Sequence, residues 1–230
     1  MRFYYFILLA ITLTGPLLYS FNKKLKFYKK WPLVLMANAG MMLLFIPWDV
    51  FFTKQHIWWF GAKYCCGIQF LNLPIEEWLF FLLIPFSCIF IYEILKHYWF
   101  PQKGSTLALL VFLVLVAGIL ILVGIKNSER YYTMSSFLLA GLFIILLVLF
   151  RPTFLNHFLM MYAISLLPFF FINGALTGMF SSQPVVCYNE SHILGIRLVT
   201  IPLEDAFYSF SMLLTSVYIY EKLNKQAKTG

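Results

Sequence analysis

Seven apolar runs of about 20 residues constrain the fold of this chain more than any other feature. Each run could cross a hydrocarbon core about 30 Å thick as a helix, and the charged residues fall between the runs. Only 11% of the 230 residues are charged, against about 25% in an ordinary globular domain. We predict an all-α integral membrane protein with about seven transmembrane helices, near residues 3–21, 32–50, 76–98, 106–125, 131–150, 153–172 and 203–221.

The basic residues predict how such a protein is oriented. With seven spans, the connections after helices one, three and five and the C-terminus carry eleven Lys and Arg, and the opposite side carries six. The positive-inside rule then predicts a multi-pass protein of the cell membrane with its N-terminus outside and its C-terminus in the cytoplasm. The net charge of +8 follows from this topology and from attraction to anionic lipid, so membrane lipid is a predicted partner and nucleic acid is not. The sequence leaves the oligomeric state open.

The sequence contains an internal repeat. Residues 67–96 align without gaps to residues 195–224 at a shift of 128, with eight identities in thirty positions. Asp49 and Asn173 correspond at a shift of 124. Helices one to three therefore correspond to helices five to seven, and the two copies run in the same direction, which implies a pseudo-two-fold axis near the membrane normal. We predict a first repeat (1–100), a connector helix (101–128), a second repeat (129–224) and a polar tail (225–230).

Each repeat places an acidic pair after a proline at the start of a helix: Glu76 and Glu77 after Pro74, and Glu204 and Asp205 after Pro202. A favourable interaction with the helix dipole is a purely structural explanation. A carboxylate beside hydrocarbon is costly, however, and usually faces a bundle interior, so two equivalent pairs favour a shared site. Neighbouring residues point about 100° apart on a helix, so one acid of each pair should face inward. We expect Glu76 and Glu204 to approach each other and to share a proton.

Other polar residues allow two interpretations each. Asp49 and Asn173 end the preceding helices on the same side, where they could complete a polar ring or cap the helices. His56 and His192 lie in the two loops on that side and could shuttle protons, although a lone loop histidine is usually solvated. Seventeen residues beyond the first acid of each pair, or roughly 25 Å along a helix, we expect a charged and aromatic belt at the other face of the bilayer, comprising Glu93, Glu221, Tyr92, Lys96, Tyr220 and Lys225.

The acidic motifs carry a family resemblance. The segments LPIEEWLFF (73–81), IPLEDAFYSF (201–210) and NGALTG (173–178) resemble the membrane lycopene cyclase domain family, the non-flavin type, over residues 1 to 224. The resemblance implies two halves fused in one chain. It also implies an isomerase, a lycopene β-cyclase, that takes lycopene from the lipid phase and converts its linear ψ-end groups to β-ionone rings. Asp205 departs from the first half, which has Glu77 at that position.

That reaction needs an acid, a base, a pocket that tolerates a carbocation, and exclusion of water. We expect the catalytic residues to be Glu76, Glu77, Glu204 and Asp205, and the residues that contact substrate to be Asp49, Asn173, Trp58 and Tyr208. The sequence has no nucleotide or flavin motif and no cysteine or histidine cluster at metal spacing, so we predict no cofactor and no metal. Which carboxyl is the acid stays open, as does whether one or both ends of lycopene are cyclised.

Two alternatives belong to other classes of protein. One is an ion-coupled membrane transporter, whose repeated halves would surround a path with carboxylates that bind the ion. The acids lie at helix ends rather than in mid-span, which disfavours it. The other is a metal-dependent membrane isoprenoid enzyme, in which the two acidic pairs would bind magnesium.

Overall fold

The computed structural model describes residues 2–99 and 106–229. Within these ranges the chain forms seven α-helices, which confirm the positions predicted from the apolar runs. Short 3₁₀ turns lie at Phe27–Lys30 and Glu190–His192. The helices are α1 (Tyr4–Tyr19), α2 (Trp31–Lys54), α3 (Ile75–Tyr98), α4 (Leu107–Lys126), α5 (Tyr131–Phe150), α6 (Leu155–Leu176) and α7 (Leu203–Thr229).

Five of the described helices, α2 to α6, are long and apolar enough to cross a membrane, and they indicate a multi-pass membrane protein. Helix α1 is apolar but has only 16 residues. Helix α7 is more polar, with Glu204 and Asp205 in its first turn. Helix α7 packs against α2, α3, α5 and α6, and its buried polar residues are Glu204, Asp205, Ser211, Thr215, Ser216, Glu221 and Asn224.

Helices α3 and α7 form the centre of the bundle. Helix α1 packs against α3, and α5 packs against α7 in the same way. Helix α4 packs mainly against α5 and exposes an apolar surface on its other side, as expected for a connector surrounded by lipid. Residues 101–105 of the predicted connector lie outside the described residues.

Six short strands lie in the two loops that precede α3 and α7, a feature that the all-helical prediction did not include. They are β1 (Trp58–Phe60), β2 (Gln69–Phe70), β3 (Leu73–Pro74), β4 (Val186–Tyr188), β5 (Arg197–Leu198) and β6 (Ile201–Pro202). Strands β2 and β3 form a hairpin that leads directly into α3, and β5 and β6 form a hairpin that leads into α7. In the first hairpin Leu71 and Asn72 both have positive φ, at 52° and 65°, as a tight two-residue turn requires.

The remaining two strands join the two loops to each other. Strand β1 pairs with β4 in antiparallel orientation, and Trp59 lies opposite Cys187. These two residues correspond in the sequence repeat at the shift of 128. The loops of the two halves therefore meet over one end of the bundle, where α2 and α6 end and α3 and α7 begin.

The opposite end of the bundle holds a buried polar network between α3 and α7. The hydroxyl of Tyr220 donates to Glu93 at 2.8 Å, and the hydroxyl of Tyr92 donates to Glu221 at 2.9 Å, so the two contacts are reciprocal. Lys30 forms an ion pair with Glu93, and Lys96 with Glu221. Glu93 is 2% exposed and Glu221 8%. The predicted belt at the membrane surface is therefore wrong for these residues: they face each other inside the bundle, where a carboxylate needs a cation and hydrogen-bond donors.

Candidate active site

A pocket of about 60 Å³ lies beneath the paired strands, at the end of the bundle where α3 and α7 begin. Its polar lining includes the carboxyl groups of Asp49, Glu77 and Asp205 and the amide of Asn173. Its aromatic lining is made of Tyr5, Trp58, Phe60, Phe80, Tyr132, Phe169, Tyr188 and Tyr208. The structure thus brings together six of the eight residues expected at the site, namely Asp49, Trp58, Glu77, Asn173, Asp205 and Tyr208.

The two remaining expected residues, Glu76 and Glu204, do not line this pocket. Glu76 accepts a hydrogen bond from the backbone N–H of Cys66 at 2.6 Å, and Glu204 accepts one from the backbone N–H of Leu194 at 2.7 Å. Each first acid therefore holds the loop before its own hairpin. Both first acids are buried, but their hydrogen-bond partners in the described part of the chain lie in their own halves, and Glu77 and Asp205 rather than Glu76 and Glu204 line the common pocket.

Asp205 is surrounded by three hydrogen-bond donors. The hydroxyl of Tyr132 donates to its Oδ1 at 2.7 Å, and both the Tyr188 hydroxyl, at 2.8 Å, and the Asn173 amide, at 2.7 Å, donate to its Oδ2. Burial and the nearby Asp205 carboxylate raise the pKa of Tyr188 well above its usual value, so this phenol keeps its proton. Three donors on one carboxyl group suit its ionised form, which can only accept.

Glu77 has a different environment. Within the described residues its one hydrogen bond is to the hydroxyl of Tyr5, which donates to Oε2 at 2.6 Å. Tyr5 and Tyr132 lie in the first turns of α1 and α5, and each donates to the second acid of its own half. Neither tyrosine was predicted from the sequence. At the repeat shift of 128, Tyr132 aligns with Tyr4, and Tyr5 aligns with Thr133, so the repeat alone does not pair them.

The side chain of Asp49 is held by Trp58, whose indole N–H donates to Oδ1 at 2.6 Å. The other oxygen, Oδ2, has no hydrogen-bond partner among the described residues, although Asp49 is only 2% exposed. The hydroxyl of Tyr208 is also buried without a partner in that part of the chain. Unpaired buried polar atoms cost free energy, so they mark the place where a ligand group or water would bind.

The other titratable side chains near these loops stand apart from the pocket. His56 is exposed, and His192 stacks on Tyr131 at 5.2 Å between ring centroids. Burial, followed by the nearby Glu76 and Glu77 carboxylates, raises the pKa of the Cys65 thiol to about 12, which disfavours a nucleophilic thiolate. Within residues 2–99 and 106–229, no three His, Cys, Asp or Glu side chains are grouped as a metal site requires.

Fold and site together define a helical protein of membrane-spanning composition, with carboxyl groups from two equivalent helices facing one aromatic pocket. The family model for lycopene cyclase matches residues 1–95 and 129–223, and the chain belongs to this family. The two segments begin 128 residues apart (129 − 1), the same shift as in the internal repeat. Membership implies an enzyme that acts on carotenoids. Comparison with curated proteins and with solved structures gave no match.

Proposed function

We propose that this protein is a lycopene β-cyclase of carotenoid biosynthesis, which converts linear ψ-end groups to β-ionone rings by acid–base catalysis through a carbocation. One observation carries the proposal: Glu77 and Asp205, at equivalent places in α3 and α7, line the same buried aromatic pocket. The reaction adds one proton and removes one, so it is a redox-neutral isomerisation and needs no cofactor. Family membership supports the carotenoid substrate.

The pocket is built from both halves of the chain, which we propose are two parallel repeats about a pseudo-two-fold axis. The pairing of Trp59 with Cys187 supports this arrangement, because each residue meets its own counterpart. The matching contacts of Tyr5 with Glu77 and of Tyr132 with Asp205 support it as well. In the membrane this arrangement places both acidic motifs on one side. We propose that this side is external, with the N-terminus outside and the C-terminus in the cytoplasm.

The unequal surroundings of the two carboxyl groups support a division of labour. Asp205, with three donors, is suited to remain ionised and to accept a proton. Glu77, with one hydrogen-bond donor and with the Asp49 and Asp205 carboxyl groups lining the same pocket, is suited to carry a proton and deliver it. We therefore assign Glu77 as the general acid and Asp205 as the general base. Asp49, held by Trp58 and with one free oxygen, would return a proton to Glu77 or stabilise positive charge beside it.

Cyclisation then proceeds in three steps. Glu77 protonates the terminal alkene, which leaves a tertiary cation on the neighbouring carbon. An internal double bond attacks that carbon and closes a six-membered ring, which moves the positive charge into the ring. Asp205 removes a ring proton, and the electron pair of the broken C–H bond becomes the ring double bond.

The aromatic lining stabilises the charged intermediates. The rings of Trp58, Tyr132 and Tyr208 lie together in the pocket, with centroids 4.9 to 6.1 Å apart. Ring faces attract a cation within about 6 Å, with an energy of about 2 kcal/mol when the pair is desolvated. The strand pair β1–β4 lies over the pocket and limits the entry of water, which would otherwise trap the cation as an alcohol.

Expression in cells that accumulate lycopene tests the proposal. The wild type should produce cyclic carotenoids with the same mass as lycopene and an absorption maximum at shorter wavelength. Glu77→Gln keeps size and hydrogen bonding but cannot deliver a proton, so it should lower cyclisation by about 10²–10⁴-fold. Glu129→Gln, at an exposed residue, is the matched control and should leave the yield unchanged.

Unchanged lycopene in cells whose membranes contain folded wild-type protein would overturn the proposal. That outcome would favour one of the two alternatives, the ion-coupled transporter or the metal-dependent isoprenoid enzyme. Full activity of Glu77→Gln would overturn only the assignment of Glu77 as the general acid.

A further inference from the structure

We infer that the polyene chain of the substrate lies in a single groove between α1, α3 and α6, and that the equivalent groove of the other half is closed. The inference rests on the proposed function, because it assigns the place of the part of the carotenoid that does not react. It predicts that substrates enter and leave the pocket on one side of the bundle only.

The groove is a cavity of about 510 Å³ with an almost wholly apolar lining, a size that suits an extended hydrophobic ligand. Along α3 it extends from Phe80 to Ile91, and along α6 from Tyr162 to Asn173. Eleven residues of helix correspond to about 16 Å. Exposed apolar side chains border it, including Ile11 and Phe171, so the groove is open to the lipid that would surround the bundle.

The groove adjoins the acidic pocket. Both are lined by Phe80, Phe169, Asn173, Ser209 and Met212. A polyene in the groove would therefore present one end group to Glu77 and Asp205. Lycopene is about as long as a hydrocarbon core is thick, roughly 30 Å, so about half of the molecule would lie in the groove and the rest in lipid.

The corresponding positions in the other half carry side chains that fill the space. The repeat equates Ile172 with Trp48 and Phe169 with Phe45 at the shift of 124, and Phe80 with Tyr208 at the shift of 128. The rings of Phe45, Trp48 and Tyr208 pack against one another, with centroids 5.3 to 5.9 Å apart. The larger indole at position 48, where the other half has isoleucine, closes the second groove.

One pocket with one groove cyclises one end of lycopene per binding event. The second ring requires the monocyclic product to leave the groove and to return in the opposite orientation. The monocyclic carotenoid should therefore be released into the membrane as a free intermediate.

Two substitutions that fill the groove test the inference. Gly15 lies on the wall of the groove, and a Cβ atom added there would meet no atom within 4 Å. Gly15→Phe should therefore place a ring in the groove without disturbing the helix. Ile172→Trp introduces from α6 the side chain that the closed half carries at position 48. The matched control is Gly118→Phe, at an exposed α4 glycine whose Cβ would also meet nothing within 4 Å.

Two quantities are measured. The first is the amount of cyclic carotenoid per folded protein in cells that accumulate lycopene. The second is the amount of lycopene that co-purifies with each variant when that variant also carries Glu77→Gln. Gly15→Phe and Ile172→Trp should each lower both quantities by at least tenfold, and Gly118→Phe should lower neither. The inference would be overturned if both groove variants had wild-type activity. It would also be overturned if the purified Glu77→Gln protein contained phospholipid but no carotenoid. Failure of the proposed function gives a different result, namely a wild type that leaves lycopene unchanged.

Discussion

Replacement of Asp205 by asparagine tests the assignment of the base most directly, because the substitution preserves shape and removes charge. Three donors converge on this carboxyl group, from Tyr132, Tyr188 and Asn173. An asparagine side chain offers one acceptor oxygen and one NH₂ group. The NH₂ group would then face at least one of the three donors.

The expected magnitudes separate catalysis from folding. A buried donor left without a partner costs about 1–3 kcal/mol of stability. Loss of a general base lowers the rate by about 10²–10⁴-fold, which corresponds to about 3–5 kcal/mol in activation free energy. We therefore expect Asp205→Asn to fold with reduced thermal stability and to lose at least 100-fold in cyclisation rate per folded molecule.

The assay follows conversion of lycopene by isolated membranes, with folded protein measured by thermal unfolding of the purified sample. Tyr188→Phe is the matched comparison, since it removes one of the three donors to Asp205 and leaves the carboxylate in place. It should lose less activity than Asp205→Asn. An Asp205→Asn protein with more than one tenth of the wild-type rate would refute the assignment of Asp205 as the base.

Three further predictions concern the source of the proton, the far end of the bundle and the topology. Cyclisation in heavy water should place deuterium on the new ring, and a ring without solvent deuterium would contradict protonation by an exchangeable acid. Glu93→Gln should lower stability by about 1–3 kcal/mol because it removes the charge that pairs with Lys30. Its rate per folded molecule should stay within a factor of three of wild type, as mass-resolved product assays would show. Reporter fusions after Lys30 and after Lys63 should report cytoplasm and exterior, and identical locations would exclude the proposed topology.

The sequence predicted the helices and the acidic pairs because both depend on local patterns. An apolar run of 20 residues can satisfy its backbone hydrogen bonds in lipid by forming a helix. A motif that repeats at a shift of 128 shows which residues of the two halves are equivalent. The choice between the two acids of each pair could not be read in the same way. It depends on the rotation of α3 and α7 about their own axes, which is set by the hairpins before them and by contacts with distant helices.

Contacts between residues that are far apart in the sequence explain the other differences between the prediction and the structure. Glu93 and Tyr220 are 127 residues apart and form a buried hydrogen bond. The sequence shows only that Glu93 lies near a helix end, where a position at the membrane surface is the usual one. The donors to Asp205 were missed for a related reason. Tyr132 and Tyr188 look like ordinary aromatic residues of a membrane protein until the fold places them beside a carboxyl group.

The pairing of β1 with β4 has a consequence for how the protein is made. Synthesis and insertion proceed from the N-terminus, so Asp49 and Glu77 reach the membrane well before β4 and α7 exist. During that interval the first half holds its acids without the strand that covers them or the partner that completes the site. A carotenoid that bound to the partly synthesised protein would contact neither the base, Asp205, nor the β1–β4 strand pair that covers the pocket. Both arrive with the last quarter of the chain, so the acid that generates the carbocation is made first, and the base and the cover that contain it are made last.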